Sequence, residues 1–195
     1  ARAKIVIAVK AGRGTEGARA AATHTGALTG SDEIVDAALR RAGILRVTTT
    51  DDLFNAAETL ARARPVAGNR AMIVTNGGGA AVLATDALVA GGGALAVLSP
   101  QSRQAMDEFL PSTWSKANPV DIIGDAPIDR YVRSLDIALQ DKACDAVLLI
   151  HAPTAIVPSE DIARACLPVI KASTRAVIMP APSWRETSRG QRSVV

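Results

Sequence analysis

Short, apolar, β-branched runs alternate with helix-patterned segments along the whole chain, and this alternation limits the fold more than any other feature. The runs lie at residues 4–10, 44–47, 71–75, 94–98, 120–123, 146–150 and 176–179. Each is too short for an amphipathic helix, and most have Gly, Pro, Asn or Ser close to an end, which is the pattern of a buried strand. Strand and helix taking turns imply parallel sheets with helices on both faces.

The segments between the runs carry helix signals. Ser31 reads as an N-cap with Asp32 and Glu33 behind it, where negative charge suits the helix dipole. Val35, Ala38, Leu39 and Ala42 then fall on one face, and Gly43 stops the helix. Thr49 reads as the next cap, with Asp51 and Asp52 in the first turn and Phe54, Ala57, Leu60 and Ala61 as the inner face. A third helix is expected over 80–90, with Val82, Leu83, Ala87 and Leu88 inward and Gly91-Gly92-Gly93 as its stop. Ser99 caps a helix reaching to about Leu110, and further helices are expected over 128–139 and 158–171. Residues 11–30 are rich in Gly, Ala and Thr without a clear period, so they read as a long loop with at most one helical turn. Arg64-Pro65-Val66-Ala67-Gly68-Asn69 breaks the pattern and marks the candidate domain boundary.

Composition removes several functions. The chain has 195 residues, 48% hydrophobic and 21% charged, too apolar for a disordered chain. No apolar run approaches the roughly 18 residues of a membrane span. Aromatic residues make up 3%, which leaves no stacking platform for single-stranded nucleic acid. The net charge of +3 owes much to Arg185, Arg189 and Arg192 near the end and reads as solubility. Cys144 and Cys166 form no CxxC and have no His cluster near them, so they read as small core residues in a reducing cytoplasm. No signal peptide opens the chain, and a start without Met suggests a piece of something longer.

Two stretches carry chemistry. The first is Ala22-Thr23-His24-Thr25-Gly26-Ala27-Leu28-Thr29-Gly30. A lone histidine is ordinarily structural or simply exposed. This one follows a strand in a small-residue loop, where α/β folds bind ligands, and Gly26 and Gly30 let a backbone approach an anion. A neutral imidazole is a nucleophile that can take a phosphoryl group and pass it on. No Ser/His/Asp set accompanies it, and His151 is too distant in sequence to make a metal pair. The second stretch is Asn76-Gly77-Gly78-Gly79, between a strand and a helix. Such a turn aims backbone N–H groups and a positive helix end at an anion. It is neither GxGxxG nor a Walker loop, and tight packing of a strand-to-helix turn explains it equally well. Read together, a nucleophilic His24 and an anion cradle suggest a phosphohistidine held by oriented N–H dipoles.

The residues that carry a resemblance are Lys10-Ala11-Gly12-Arg13, Ala18-Arg19, His24-Thr25-Gly26-Ala27-Leu28 and Gly30-Ser31-Asp32. They continue in Arg41-Ala42-Gly43-Ile44, Asn76-Gly77-Gly78-Gly79, Thr85-Asp86-Ala87, Leu98-Ser99-Pro100 and Asn118-Pro119-Val120-Asp121. In this order they resemble the NDP-forming acyl-CoA synthetases, the ADP-forming acetate–CoA ligases related to succinyl-CoA synthetase. The likeness covers residues 4 to about 180.

The resemblance implies flavodoxin-like, three-layer α/β architecture with parallel sheets. Residues 1–64 would be the C-terminal part of the phosphohistidine-carrying ligase domain. Residues 69–182 would be a second flavodoxin-like ligase domain, and 183–195 a tail without order. It implies the reaction acid + CoA + ATP to acyl-CoA + ADP + phosphate, with His24 as the phosphorylated residue. Asn76, Gly77, Gly78 and Gly79, with a helix starting near Ala80, would bind its phosphate together with Gly26. Asp121 is either a site residue or an N-terminal cap or loop-stabilising carboxylate, and no metal site is read in the chain. The full enzyme would use CoA, ATP or ADP and Mg²⁺, of which this piece alone would hold only phosphate and make no acyl-CoA. The implied partners are a small-molecule acid, CoA, and CoA-binding and ATP-grasp domains or subunits, in a homo-oligomer or heteromeric assembly. Neither nucleic acid nor membrane is implied, and the compartment is the cytoplasm. The polar, basic run from Ala181 to Gly190 departs from the family, which usually continues with a Gly-containing turn. A different function is the non-catalytic, ligand-sensing region of a protein lysine acetyltransferase, although such a sensor needs no His24. A third is a ligase-like protein for carbamoyl- or oxamate-type substrates.

Overall fold

The computed structural model describes residues 4–25 and 31–180, with His24 and Thr25 described by their backbone alone. The tail 183–195 therefore lies outside the described residues. The chain divides into two compact units, Ala1–Arg62 and Ala63–Val195.

In the first unit, β1 (Ile7–Val9) pairs in parallel with β2 (Leu45–Val47). The other elements are α1 (Thr15–Thr25), α2 (Asp32–Arg41) and α3 (Thr50–Arg62). No described residue of this unit is fully buried. The expected buried strand over 4–10 is thus shorter and wetter: Ile5 is 67% exposed. Two strands have too little area to hide a strand on both faces. Residues 15–25 are helix, not loop. Ala18, Ala20, Ala21 and Ala22 favour a helix by intrinsic propensity, which leaves no apolar period to read.

Ser31 stands at the N-cap of α2 but makes no side-chain cap bond. Asp32, in the first turn, instead takes Arg46 Nη2 at 2.6 Å and also pairs with Lys10 and Arg13. The Arg46 hydrogen bond holds the Asp32 carboxyl below its ordinary range. Gly43, at φ +67°, closes α2 as expected. Its N–H donates to Arg40 O, and the Ile44 N–H donates to Leu39 O, which is a Schellman motif. On α3 the expected inner residue Phe54 is 68% exposed. Leu53 and Ala56 are half-buried instead.

The second unit holds the core. Its sheet runs β4 (Ala94–Leu95), β3 (Arg70–Thr75), β6 (Ala146–Ile150), β7 (Ala176–Ile178), and β5 (Val120–Asp121) also pairs with β3. Every pairing is parallel. β4 lies along the start of β3 and β5 along its end. Asn118 fills the gap between them: Oδ1 accepts from Ile73 N, and Nδ2 donates to Ala71 O and Ala96 O.

The helices are α4 (Gly78–Ala90), α5 (Pro100–Asp107), α6 (Ile128–Gln140) and α7 (Ser159–Ala172). Met72, Val74, Val147 and Leu149 pack into one apolar cluster with Met106 of α5, Tyr131 and Leu135 of α6, and Ile162 and Cys166 of α7. Strand alternation turns Ile73 and Thr75 to the opposite face, toward α4. Ser99 caps α5 through Ser102 N at 3.2 Å. That helix stops at Asp107, and Pro111 bars Leu110 from helical geometry.

Two expectations for α4 are corrected. It begins at Gly78, two residues before Ala80. Its fold-facing residues are Ala81, Ala84, Thr85 and the expected Leu88, while Ala87 is exposed and Val82 and Leu83 are 61% and 73% exposed. The helix is apolar all round, so its pattern holds no inward stripe to read.

Candidate functional site

The carboxyl ends of β3, β5 and β6 meet at one edge of the second unit, where open α/β sheets bind ligands. Thr75 ends β3 and is buried, and its hydroxyl oxygen accepts from Gly77 N at 3.1 Å. Asn76 is 5% exposed. Its Oδ1 accepts from Ala152 N at 2.7 Å, and its Nδ2 donates to Ala152 O at 2.9 Å. The side chain thereby fastens the turn to the backbone after β6.

Gly77 is the N-cap of α4, and its carbonyl accepts the first intrahelical bond, from Ala81 N, at 3.1 Å. The N–H groups of Gly78, Gly79 and Ala80 precede that bond and have no intrahelical acceptor. With the helix dipole behind them they present partial positive charge of the kind that suits an anion. The turn needs glycine at Gly77 for space: a Cβ there would lie 2.9 Å from Ala152 Cβ. Gly78 and Gly79 have room, with 3.5 Å to Asp121 Oδ2 and nothing within 4 Å, respectively.

Asp121 sits on β5 beside this terminus. Its Oδ1 accepts from Ile123 N at 2.9 Å, and its own N–H donates to Ser115 Oγ at 3.0 Å. One oxygen steadies the loop, and Oδ2 lies on the side of Gly78. That loop holds Ile123 at φ +70°, a conformation that costs a β-branched residue energy. Arg130 secures it by donating to Ile122 O at 3.0 Å and to Asp125 Oδ1 at 2.8 Å. Gly78, Val82, Thr85, Asp86, Ser115 and Asp121 line an open cavity of about 340 Å³ against α4.

His151, directly before Ala152, shares a 2.8 Å hydrogen bond between Nδ1 and Tyr131 Oη, with the rings edge to face. Its Nε2 is buried without a hydrogen-bond partner, and burial pushes its pKa down. Burial also pushes the Tyr131 hydroxyl far up, so it stays protonated. Neither His151 nor Arg130 stood out as a site residue in the sequence, because their positions depend on which strand ends meet.

The backbone of His24 lies in the last turn of α1, and Gly26 lies outside the described residues. Among the described residues no group of three His, Cys, Asp or Glu is placed to hold a metal ion.

Residues 1–60 match the model of the succinyl-CoA ligase like flavodoxin domain, and residues 71–182 match that of the Ligase-CoA domain. The chain is also 40% identical over 193 residues to the ADP-forming acetate–CoA ligase I of Archaeoglobus fulgidus, covering 99% of this chain and 27% of that protein. This chain belongs to the NDP-forming acyl-CoA synthetase family. A second member, subunit alpha of the ADP-forming acetate–CoA ligase II of Pyrococcus furiosus, is 40% identical over 75% of this chain and 32% of the subunit. Among solved structures, acetyl-coenzyme A synthetase 1 of Ca. Korarchaeum cryptofilum, in complex with phosphate and ADP, superposes with a TM-score of 0.79 at 36% identity. That match covers 90% of this chain and 38% of the synthetase chain. The chain thus spans between a quarter and two fifths of the length of these relatives. The α/β fold with parallel sheets is the one this synthetase family uses.

Proposed function

We propose that this chain is the phosphohistidine part of an ADP-forming acyl-CoA synthetase, which joins an acid to CoA as ATP is cleaved to ADP and phosphate. The observation that carries the reading is the α4 terminus. Three N–H groups without an intrahelical acceptor sit on a turn that Asn76 fastens to Ala152. The donor set fits a phosphoryl group.

His24 is the nucleophile of this reading. In the synthetic direction its N–P bond forms as the bond to the ADP oxygen breaks. It breaks in turn as a carboxylate oxygen of the acid takes the phosphoryl group, and the CoA thiol then displaces phosphate. Gly77, Gly78 and Gly79 shape the turn, and the N–H groups of Gly78, Gly79 and Ala80 stabilise the charge on the carried phosphoryl group. Gly26 lets the chain beside His24 approach it. CoA-binding and ATP-grasp domains or subunits supply the CoA, ATP and Mg²⁺ sites, and this chain alone makes no acyl-CoA. The assembly is a homo-oligomer or heteromer in the cytoplasm, where the free, buried thiols of Cys144 and Cys166 stay reduced. No helix among the described residues is long and apolar enough to cross a membrane.

Phosphorylation tests the reading. Full-length protein incubated with ATP and Mg²⁺ gains an acid-labile, base-stable phosphate at residue 24, and His24→Ala abolishes it. A full-length protein that takes no label overturns the enzymatic reading and favours the ligand-sensing one.

A further inference from the structure

The segment Gly78–Ala90 reads Gly-Gly-Ala-Ala-Val-Leu-Ala-Thr-Asp-Ala-Leu-Val-Ala, with only Thr85 and Asp86 polar. Thr85 turns its hydroxyl back onto Ala81 O at 2.8 Å, so Asp86 is the one side chain suited to water. A helix apolar all round belongs inside a protein, yet Val82, Leu83 and Val89 are 61%, 73% and 58% exposed. Two other helices of this unit differ. α6 turns Asp129 and Arg133 outward and α7 turns out Glu160 and Arg164, in ion pairs that stand in solvent.

We propose that the outer face of α4 is a docking surface for a segment of the same synthetase lying outside these 195 residues, apolar along its contact and carrying a basic side chain toward Asp86. The proposal rests on the reading of the chain as part of a longer synthetase. Two observations choose this occupant. The chain spans 27% of one relative and 32% of another, so most of such a protein is available to cover the face. The charge is one-sided: α4 has no basic residue, Asp86 makes no ion pair among the described residues, and Asp86 and Asp121 line the open cavity beside Val82. A second copy fits worse. A two-fold contact about α4 sets Asp86 near its own duplicate, and like charges across an interface oppose association.

The test uses the full-length synthetase. Leu83 is replaced by the photo-crosslinker p-benzoylphenylalanine, and maleimide labelling of Val89→Cys is compared with that of Arg164→Cys on α7. A covered face labels at Val89→Cys roughly 10-fold or more slowly than at Arg164→Cys, and the cross-link maps to sequence outside residues 1–195. If Val89→Cys does not fold, Leu83→Cys gives the same comparison. Labelling at the control rate overturns the proposal. So does a cross-link within residues 1–195, including one to a second copy that grows with protein concentration. Because neither readout uses phosphate transfer, protection with no label at His24 would sink the phosphohistidine reading alone. A labelled His24 with an open α4 would sink this proposal alone.

Discussion

Asn76 grips the backbone of Ala152 with both ends of its amide, and this decides what the next residue can be. A Cβ on Gly77 would stand 2.9 Å from Ala152 Cβ. Ala152 is held in place, so the turn cannot yield without losing one of those hydrogen bonds. Gly77→Ala is therefore expected to destabilise the second unit by about 1–3 kcal/mol, the usual cost of overpacking. Gly79→Ala has open space and a helical position, and is expected to stabilise by about 0.5–1 kcal/mol. Urea unfolding followed by the fluorescence of buried Trp114 measures both. The double variant Gly77→Ala/Ala152→Gly should recover stability relative to Gly77→Ala. Failure of that rescue would show that something other than the Ala152 contact excludes a side chain.

At the scale of elements, the first unit depends on local devices because none of its described residues is fully buried. Its α3 starts with a reciprocal cap: Asp52 N donates to Thr49 Oγ1 at 3.0 Å, and Thr49 N donates to Asp52 Oδ2 at 3.1 Å. Thr49→Ala removes one half of that pair. It is expected to cost about 1 kcal/mol, seen as roughly five-fold faster amide exchange over residues 50–62. Unchanged exchange would mean that packing, not the cap, holds the helix. The Thr49 cap was readable from sequence because capping is a local event, and so were the Ser99 cap and the Gly43 stop. The strands β3 and β6 were readable too, since buried parallel strands are continuous apolar runs. Two of the misread elements lacked a period. Residues 15–25 fold on alanine propensity, and α4 is apolar on every side. At the site, the glycine turn between β3 and α4 could be recognised. The clamp of Asn76 on Ala152 could not, because the two are distant in sequence and meet only through the pairing of β3 with β6.

Across the second unit, two titrating groups at opposite ends of the sheet respond to acid in the same direction. Arg70 donates from its backbone N and Nε to Asp145 Oδ2 and from Nη2 to Asp145 Oδ1. These bonds hold the Asp145 carboxyl down at about 2, against an ordinary 3.8. A depressed carboxylate adds stability that is fully present above its unfolded value and is lost as pH falls from about 4 toward 2. At the site end, burial depresses His151 below 6.5. The unfolded chain then binds the proton first, so stability falls as pH drops below 6.5 until the folded imidazole also titrates. The unit should therefore lose stability on acidification first through His151, from 6.5 downward, and then through Asp145, from about 4 toward 2. His151→Gln is expected to flatten the first window and leave the second, and Asp145→Asn to do the reverse at a lower stability throughout. Urea midpoints of the full-length protein, read by Trp114 fluorescence between pH 8 and pH 3, separate the two. An undiminished slope between pH 6.5 and pH 5 in His151→Gln would assign that window to some other group and leave the buried, unpartnered Nε2 of His151 without effect on stability.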